Sequence, residues 1–447
     1  MTLTINVKIP AGFEPERKYI VGQLLEYLGV SPDFEVWQKP WYELSINDRR
    51  LVVRDGFWSG LKETYLKPEL LPQKPVFVDT ARFTGHDTVS LYGQPKLRLD
   101  KDDVILEADI FASAFFMLTR WEEYVIKQRD RLGRFPEDEN FLKKHGLHRR
   151  PLVCEYVYFL RNVFNYMGVR LPRNMQYQLM ITHDVDFLRR FTGFVPFLKG
   201  AANDVLRRKS LRLALSTIKK YALFKTGKAP DPYDTFDFLM DVSESVGLKS
   251  HFYFIPSLKN EPKAFYDYDS PWAKQAVSRI LQRGHTVGIH GSFRGFNNPE
   301  IFAMELRRFK QAYGIKPTEG RQHFLRFENP VTWQLWEQNG LKNDSTIGFS
   351  TDVGFRAGTC YPYKVFDILQ RRRLELMEMP LIFMENAGFK QANGDEARVF
   401  DIIISLKDQV KRYDGHFVFL WHNNSFNFGQ YDRIEDFYKQ SVKYLAQ

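Results

Sequence analysis

Four short apolar stretches of the sequence end in side chains that can ligate a metal or transfer a proton. They are Thr182-His183-Asp184-Val185-Asp186, Gly288-Ile289-His290-Gly291-Ser292, Arg321-Gln322-His323-Phe324-Leu325-Arg326 and Leu420-Trp421-His422-Asn423-Asn424. Carboxylates and imidazoles together suit a divalent metal site or acid/base hydrolysis. A single Asp after a strand is commonly a helix N-cap, and a single His is commonly a hydrogen-bonded core residue. Because the feature recurs after four apolar runs, we expect one shared site.

Parallel β/α units are the elements that would position such a site. From Tyr177 onward, strand-like runs alternate with helical stretches that end in glycine, as helices commonly do. The seven runs are YQLMIT, SHFYFIP, TVGIHG, GRQHFL, NDSTIGF, LMEMPLIFM and HFVFLWH. The alternation predicts a barrel or an open doubly wound sheet, and in both the functional residues lie at the carboxyl ends of the strands.

The part of the chain before Tyr177 has a different pattern of predicted strands and helices. TLTINVKI predicts a strand, EPERKYIVGQLLEYLGV predicts a helix ending near Gly29, and short aromatic strands follow. From Asp103 to about Met167 the pattern predicts helices, interrupted by a polar loop. We therefore predict a smaller α/β N-terminal domain over residues 1–172 and a second domain over residues 177–447.

The set THDVD, GIHGS, RQHFLRF and LWHN resembles the motifs of the polysaccharide deacetylase superfamily, the chitooligosaccharide-deacetylase-type domains. The stretches RWEEY and RLGRFP in the N-terminal region are similar to a bacterial subgroup that carries an additional N-terminal domain of unknown role. The resemblance covers about residues 177–447. It implies a distorted (β/α)7 barrel that removes an N-acetyl group from a sugar, releasing acetate and a free amine.

Position by position, the resemblance implies a role for each matching residue. Asp184 matches the general base, and Arg321 matches the arginine that orients it. Asp186 and His290 match metal ligands, and His422 matches the general acid. The implied cofactor is a divalent metal, zinc first, with cobalt, nickel and manganese as alternatives.

This sequence departs from the family pattern at two places. Val185 separates two aspartates that are usually adjacent. Arg294 stands four residues after His290, where the second metal histidine is expected, and arginine cannot ligate a metal. His323 is our predicted substitute. Asn297, Asn298 or additional waters are alternatives, and so is a weakly metallated or metal-free site.

Four further residues are predicted to contact the substrate. Aromatic rings commonly stack on sugars, although such rings are more often part of a core. The predicted substrate-binding residues are Trp421, Phe324, Arg326 and Asn423.

The positive charge of the chain is concentrated in one segment. The net charge is +10, and residues 187–230 contain eleven Lys or Arg against Asp204 alone, so 11 − 1 = +10 accounts for the whole excess. The segment predicts a basic helical insert. It is either a solvated hairpin or a surface that contacts an anionic membrane or an acidic glycan. No nucleic-acid motif accompanies the charge, so we expect no nucleic acid.

Several classes of protein lack support in the sequence. No apolar run is long enough to cross a membrane, and the first residues lack a signal-peptide pattern. Cys154 and Cys360 form no CxxC pair, and nucleotide-binding and serine-hydrolase motifs are absent. We therefore expect a cytoplasmic protein, with peripheral contact to a membrane as an extension of that expectation.

The sequence thus favours a metal-dependent hydrolase that removes an N-acetyl group from an acetamido sugar of a polysaccharide or glycan precursor. One alternative is a metal-independent amide hydrolase with a non-carbohydrate substrate. The other is a non-catalytic, glycan-binding relative of the deacetylases. Retention of Asp184, Arg321 and His422 argues against the last alternative, whereas Arg294 argues for both.

Overall fold

The structure is a computed structural model that describes residues 3–46, 48–101, 103–171, 175–206, 209–256, 266–427 and 434–447. The chain forms two compact units. The first comprises Met1–Gln178 and Phe324–Val418, and the second comprises Leu179–His323 and Phe419–Gln447. The mixed α/β class predicted from the sequence is confirmed. The seven-unit barrel and the division of the chain near residues 172–177 stay predictions.

Strands and helices are numbered in chain order. The strands are β1 (Leu3–Pro10), β2 (Val30–Trp37), β3 (Trp41–Ile46), β4 (Arg49–Arg54), β5 (Val76–Val78), β6 (Thr88–Ser90), β7 (Gly93–Asp100), β8 (Asp103–Ala108), β9 (Gln178–Val185), β10 (His251–Phe254), β11 (Thr286–Gly291), β12 (Glu319–Gln322), β13 (Asn343–Asp344), β14 (Tyr363–Asp367), β15 (Arg372–Glu378), β16 (Leu381–Met384) and β17 (His416–Leu420). The helices are α1 (Glu14–Tyr27), α2 (Ala81–Thr84), α3 (Ile110–Thr119), α4 (Trp121–Val125), α5 (Phe141–Lys144), α6 (Leu152–Tyr166), α7 (Phe194–Leu206), α8 (Leu211–Lys225), α9 (Phe236–Ser245), α10 (Pro271–Gln282), α11 (Pro299–Tyr313), α12 (Val331–Gln338), α13 (Glu385–Gln391), α14 (Glu396–Arg412) and α15 (Ile434–Leu445).

The first unit contains a six-stranded mixed sheet in the order β2-β1-β3-β4-β8-β7. The segment from Asp103 was predicted to be helical, but its first six residues form β8. The reason is a period of two, because Val104, Leu106 and Ala108 are buried and alternate with more exposed residues. The helix begins only at Ile110, where the side chain of Asp109 caps it by accepting a hydrogen bond from the Ala112 amide at 2.8 Å.

The second unit is built on the parallel strands β9, β10, β11 and β12, which lie side by side in chain order. Gly320 allows β12 to approach β11 closely, because a Cβ at this position would lie 1.8 Å from the Ile289 carbonyl oxygen. The next pair in register is His290 with Arg321. This close approach therefore sets two of the predicted site residues side by side.

Each of the seven runs predicted as strands contains a strand. LMEMPLIFM divides into β15 and β16 at Pro380, which cannot donate a backbone hydrogen bond. The short β14 was not among the predicted runs. The basic insert forms the helices α7 and α8. Within the described ranges, no helix combines the length and apolar character that a membrane span requires.

Candidate active site

The site lies in the second unit, at the carboxyl ends of its parallel strands. Asp184 is near the end of β9, and Asp186 follows that strand. His290 lies in β11, Arg321 lies in β12, and His323 comes directly after β12. Alternate residues of a strand project to the same face, so Asp184 and Asp186 share a face, as do Arg321 and His323. The chain folds these five side chains into one cluster.

Asp186, His290 and His323 form a group that can hold a metal ion. The Oδ1 atom of Asp186 lies 3.4 Å from His290 Nε2 and 3.5 Å from His323 Nε2, and the potential ligand atoms lie within 4.8 Å of one another. Asp186 Oδ1 is buried and has no hydrogen-bond donor among the described residues. One carboxylate with two imidazoles is a donor set used by catalytic zinc sites. These residues therefore fit a divalent metal.

The ring of His290 is held in the orientation that this group needs. Its Nδ1 atom donates a hydrogen bond to the backbone carbonyl of Arg321 at 2.9 Å. A carbonyl only accepts, so in the neutral ring the proton is on Nδ1 and the lone pair is on Nε2, towards Asp186. A hydrogen bond at the far nitrogen is a common way of fixing a metal-binding histidine.

Asp184 and Arg321 form a buried ion pair beside the potential metal ligands. Arg321 Nη1 donates to Asp184 Oδ1 at 2.7 Å, and Nη2 donates to the Thr182 hydroxyl at 3.2 Å. Burial acts to raise the pKa of Asp184, but the Arg321 guanidinium opposes it, followed by His290, and the net pKa lies below the ordinary value. Asp184 is therefore an ionised carboxylate at neutral pH. Its second oxygen lies 3.8 Å from His290 Nε2.

The charge states of the potential ligands also suit a metal. Burial acts to raise the pKa of Asp186, yet His323 and His290 bring it below its ordinary range. Burial lowers the pKa of His323 to about 3, against the opposing effect of Asp186. At neutral pH the first is thus a carboxylate and the second a neutral imidazole, which are the forms that ligate metals.

His422 approaches the same carboxylate from the end of β17. Its Nε2 atom lies 4.0 Å from Asp186 Oδ2. The backbone next to it is tied to β9, because the Trp421 amide donates to the Thr182 carbonyl at 3.1 Å. An imidazole is thereby placed beside Asp186, where it can serve as a proton donor.

Arg294, at the position where the sequence resemblance implied a second metal histidine, is exposed. The chain turns sharply after β11, because the Ser292 hydroxyl bonds to the buried carboxylate of Glu305 and accepts from the amides of Arg294 and Gly295. Asn298 uses its side-chain oxygen to cap α11, accepting from the Ile301 amide at 3.0 Å.

Two of the predicted substrate-binding residues serve the packing of the second unit. Trp421 is fully buried and packs against the rings of Phe426 and Tyr438. No exposed face of its ring is available to stack on a sugar, so this prediction is not compatible with the packing. The buried amide of Asn423 donates to the carbonyls of Phe187 and Tyr233 at 2.8 and 2.9 Å, which fixes the segment after β9.

The other two predicted substrate-binding residues belong to the first unit. Phe324 has a left-handed backbone with φ of 60°, and its carbonyl accepts from Arg134 Nη1 at 3.0 Å. Arg326 is buried, and its guanidinium lies against Gly133. Their contact with a substrate stays a prediction.

Two residues that the sequence interpretation missed support the Asp184–Arg321 pair. Thr182 accepts from Arg321 and donates to the Phe419 carbonyl at 3.1 Å. Thr182 could have been found from the sequence, because it is a polar residue two positions before Asp184 and therefore on the same face of the strand. The ring of Tyr253 lies 5.3 Å from the Arg321 guanidinium. An aromatic residue inside an apolar strand gives no such signal.

Comparison with known families gives one match, to a family of unknown function, DUF7033, over residues 5–168. No curated protein gives a significant match. The matched segment does not include the residues of the candidate site.

Several solved structures resemble the chain at low identity. A proposed polysaccharide deacetylase from Mycobacterium smegmatis is 13% identical, with 62% of this chain and 86% of that chain covered and a TM-score of 0.39. A CE4 family pseudoenzyme from Bacillus anthracis is 9% identical, with 60% of each chain covered and a TM-score of 0.29. A mutant of the peptidoglycan deacetylase PdaC from Bacillus subtilis is 10% identical, with 61% of this chain and 84% of that chain covered and a TM-score of 0.29. Because the identities and TM-scores are this low, any functional conclusion has to be argued from the residues of the site.

Proposed function

We propose that the protein is a metal-dependent hydrolase that removes the N-acetyl group from an acetamido sugar of a polysaccharide or glycan precursor. The observation that carries the proposal is the arrangement around Asp186. Its carboxylate faces the Nε2 atoms of His290 and His323, while the Asp184–Arg321 ion pair lies directly beside it. A potential metal site next to an ionised, oriented carboxylate suits metal-assisted amide hydrolysis, in which the metal activates water and the carboxylate takes up its proton.

Asp184 is the general base of the proposed reaction. Arg321 Nη1 holds one of its oxygens at 2.7 Å, which leaves Oδ2 to accept a proton from the attacking water. The carboxylate is charged before the substrate arrives, because the guanidinium lowers its pKa. Arg321 is a positioning residue that sets the direction of the proton transfer.

His422 is the general acid. Its imidazole lies beside Asp186, 4.0 Å from Oδ2, and it donates a proton to the departing amine nitrogen. The proton taken by Asp184 and the proton given by His422 balance the hydrolysis, which yields acetate and a free amine.

Asp186, His290 and His323 would hold the metal. When bound there, a divalent ion would polarise the acetamide carbonyl and lower the pKa of the water. This chain would supply one negatively charged carboxylate and two imidazoles, and the ring of His290 is held in a fixed orientation.

The decisive experiment combines zinc titration with an assay for acetate. Chelator-stripped protein is titrated with zinc by calorimetry, and acetate release is then measured on a panel of acetamido sugars. We expect one-to-one zinc binding and zinc-dependent acetate release in the wild type. Both should be lost in an Asp186→Ala, His290→Ala double variant.

A matched control uses His285, a buried histidine of the second unit that bonds to Ser250 and Glu244 rather than to Asp186. His285→Gln should retain zinc binding. Acetate release that persists without metal would favour the metal-independent hydrolase. Sugar binding without acetate release would favour the non-catalytic relative.

A further inference from the structure

The helical hairpin of the second unit, made of α7 and α8, exposes apolar side chains to an unusual degree. In the described residues, half of the sixteen large apolar side chains that are exposed lie between Phe194 and Ile218. They are Phe194, Val195, Leu198, Val205, Leu206, Leu211, Leu215 and Ile218. Large contiguous apolar patches are rare on proteins that have no partner for them.

These residues form a stripe along each helix. Leu211, Leu215 and Ile218 are spaced four and three residues apart, so they lie on one face of α8. Leu211 and Leu215 are 71% and 67% exposed, so this face does not pack on the described residues of the unit. Phe194 and Leu198 have the same spacing on α7.

Two polar residues of the hairpin are, in contrast, turned inward. Asp204 and Thr217 are buried between the helices, and the Thr217 hydroxyl donates to Asp204 Oδ2 at 2.7 Å. Arg190 lies 3.7 Å from the same carboxylate and donates to Thr217 at 2.7 Å. The only acidic residue of the segment is therefore neutralised inside the hairpin.

The exposed positive charges border the apolar stripe. Lys219 follows Ile218 directly, and Lys225 lies seven residues after Ile218 on the same helix. Among the described residues of the segment, the exposed basic ones are Lys199, Lys209, Arg212, Lys219, Lys225 and Lys228. An apolar face bordered by cations matches the boundary between the acyl chains and the anionic headgroups of a lipid bilayer.

We propose that the α7–α8 hairpin docks the protein on an anionic membrane surface. The apolar stripe enters the headgroup boundary, and the bordering lysines pair with lipid phosphates. The proposal is independent of the hydrolytic activity, since none of the residues it uses belongs to the candidate active site. Phe194 follows Asp186 by eight residues, so an extended chain would separate their Cα atoms by at most about 28 Å.

The test is co-sedimentation of the full chain with vesicles of phosphatidylcholine alone and of phosphatidylcholine with phosphatidylglycerol. We expect binding to the anionic vesicles only, weakened by salt because the exposed charges are screened. Leu211→Gln with Leu215→Gln should reduce the affinity at least about ten-fold. Lys219→Glu with Lys225→Glu should do the same, because each basic residue near the surface contributes about five-fold.

Matched control variants make the same kinds of substitution outside the hairpin, so they test whether the position of the change matters. Leu281→Gln with Met304→Gln removes two exposed apolar residues of α10 and α11 in the same unit. Lys310→Glu with Lys316→Glu makes the same change in net charge outside the hairpin. Both controls should bind anionic vesicles within about two-fold of wild type, and circular dichroism verifies that every variant keeps its helical content.

Three results would overturn the proposal. The first is absence of vesicle binding by the wild type, whether or not the protein binds a soluble acidic polysaccharide. The second is self-association through the hairpin without lipid binding, measured by sedimentation velocity. The third is equal loss of binding in the hairpin and control variants.

Discussion

Arg321 connects the two chemical parts of the candidate site. Its guanidinium holds Asp184, and its backbone carbonyl accepts the hydrogen bond that orients His290. One residue of β12 thus sets both the direction of the proposed base and the direction of a potential metal ligand. The sequence predicted a strand running through Arg321, but the part played by its backbone carbonyl depends on the pairing of β12 with β11.

Loss of the Arg321 side chain should destabilise the fold. Arg321→Met leaves Asp184 as a buried carboxylate without its guanidinium, and breaking a buried pair from one side costs about 3–5 kcal/mol. Asp184→Asn in the same chain removes that charge, so the double variant should regain part of the free energy of unfolding. Urea denaturation of the wild type, both single variants and the double variant measures the effect. Strictly additive losses would show that the pair does not interact.

The assignment of Asp184 predicts a separation of binding from catalysis. Asp184→Asn keeps the shape of the side chain but cannot take up a proton, so acetate release should fall by about 10²–10⁴-fold. Zinc binding should be retained, because Asp184 is not among the three proposed ligands. Kinetics on the best acetamido sugar and calorimetry with zinc measure the two properties. Undiminished acetate release in this variant would disprove the base assignment.

The strands that carry the site could be predicted from the sequence where an apolar run precedes residues that can ligate a metal or transfer a proton. β9, β11 and β17 are rich in apolar residues and are followed by polar ones, so their ends could be predicted, whereas β12, with the sequence EGRQ, lacks that pattern. The beginning of β8 was missed because ILEADIFASAFF also fits a buried helix. Trp421 was predicted to stack on sugar, but an apolar ring beside a predicted site looks the same in sequence whether it points outward or into the core.

The free energy of unfolding should depend on pH through His183, a buried residue of β9. Its ring bonds to the Trp421 carbonyl at 2.8 Å and to the Ser250 hydroxyl at 3.2 Å, and burial lowers its pKa to about 3. Between pH 6.5 and 3 the unfolded chain therefore binds a proton that the folded chain does not. The free energy of unfolding contributed by this residue should fall by about 2 kcal/mol between pH 7 and pH 5.

Denaturant titrations at the two pH values test the effect of His183. His183→Gln can make both hydrogen bonds without titrating, so its loss of stability on acidification should be smaller than that of wild type by about this amount. Identical losses in the two proteins would show that His183 does not resist protonation.

At the scale of the whole molecule, the potential chemistry and the excess charge both lie in the second unit. The family of unknown function matches residues 5–168, all within the first unit, whereas the site uses residues 184–422. The composition of residues 187–230 predicted the charged segment, because eleven basic residues stand there against one acidic residue. The near-helical spacing of its apolar and basic residues predicted its helices. It could not predict that the single acid would be buried inside the hairpin, because that depends on how α7 packs on α8.

Zinc should stabilise the whole chain through the site in the second unit. A ligand that binds only the folded state at a hundred times its Kd adds about 2.7 kcal/mol to the free energy of unfolding. We expect that gain for chelator-stripped wild type and for Arg294→Ala, since Arg294 is exposed. His323→Gln should lose most of it, because His323 Nε2 lies 3.5 Å from Asp186 Oδ1 and would supply the third ligand. A full gain in His323→Gln would show that His323 is not the third ligand.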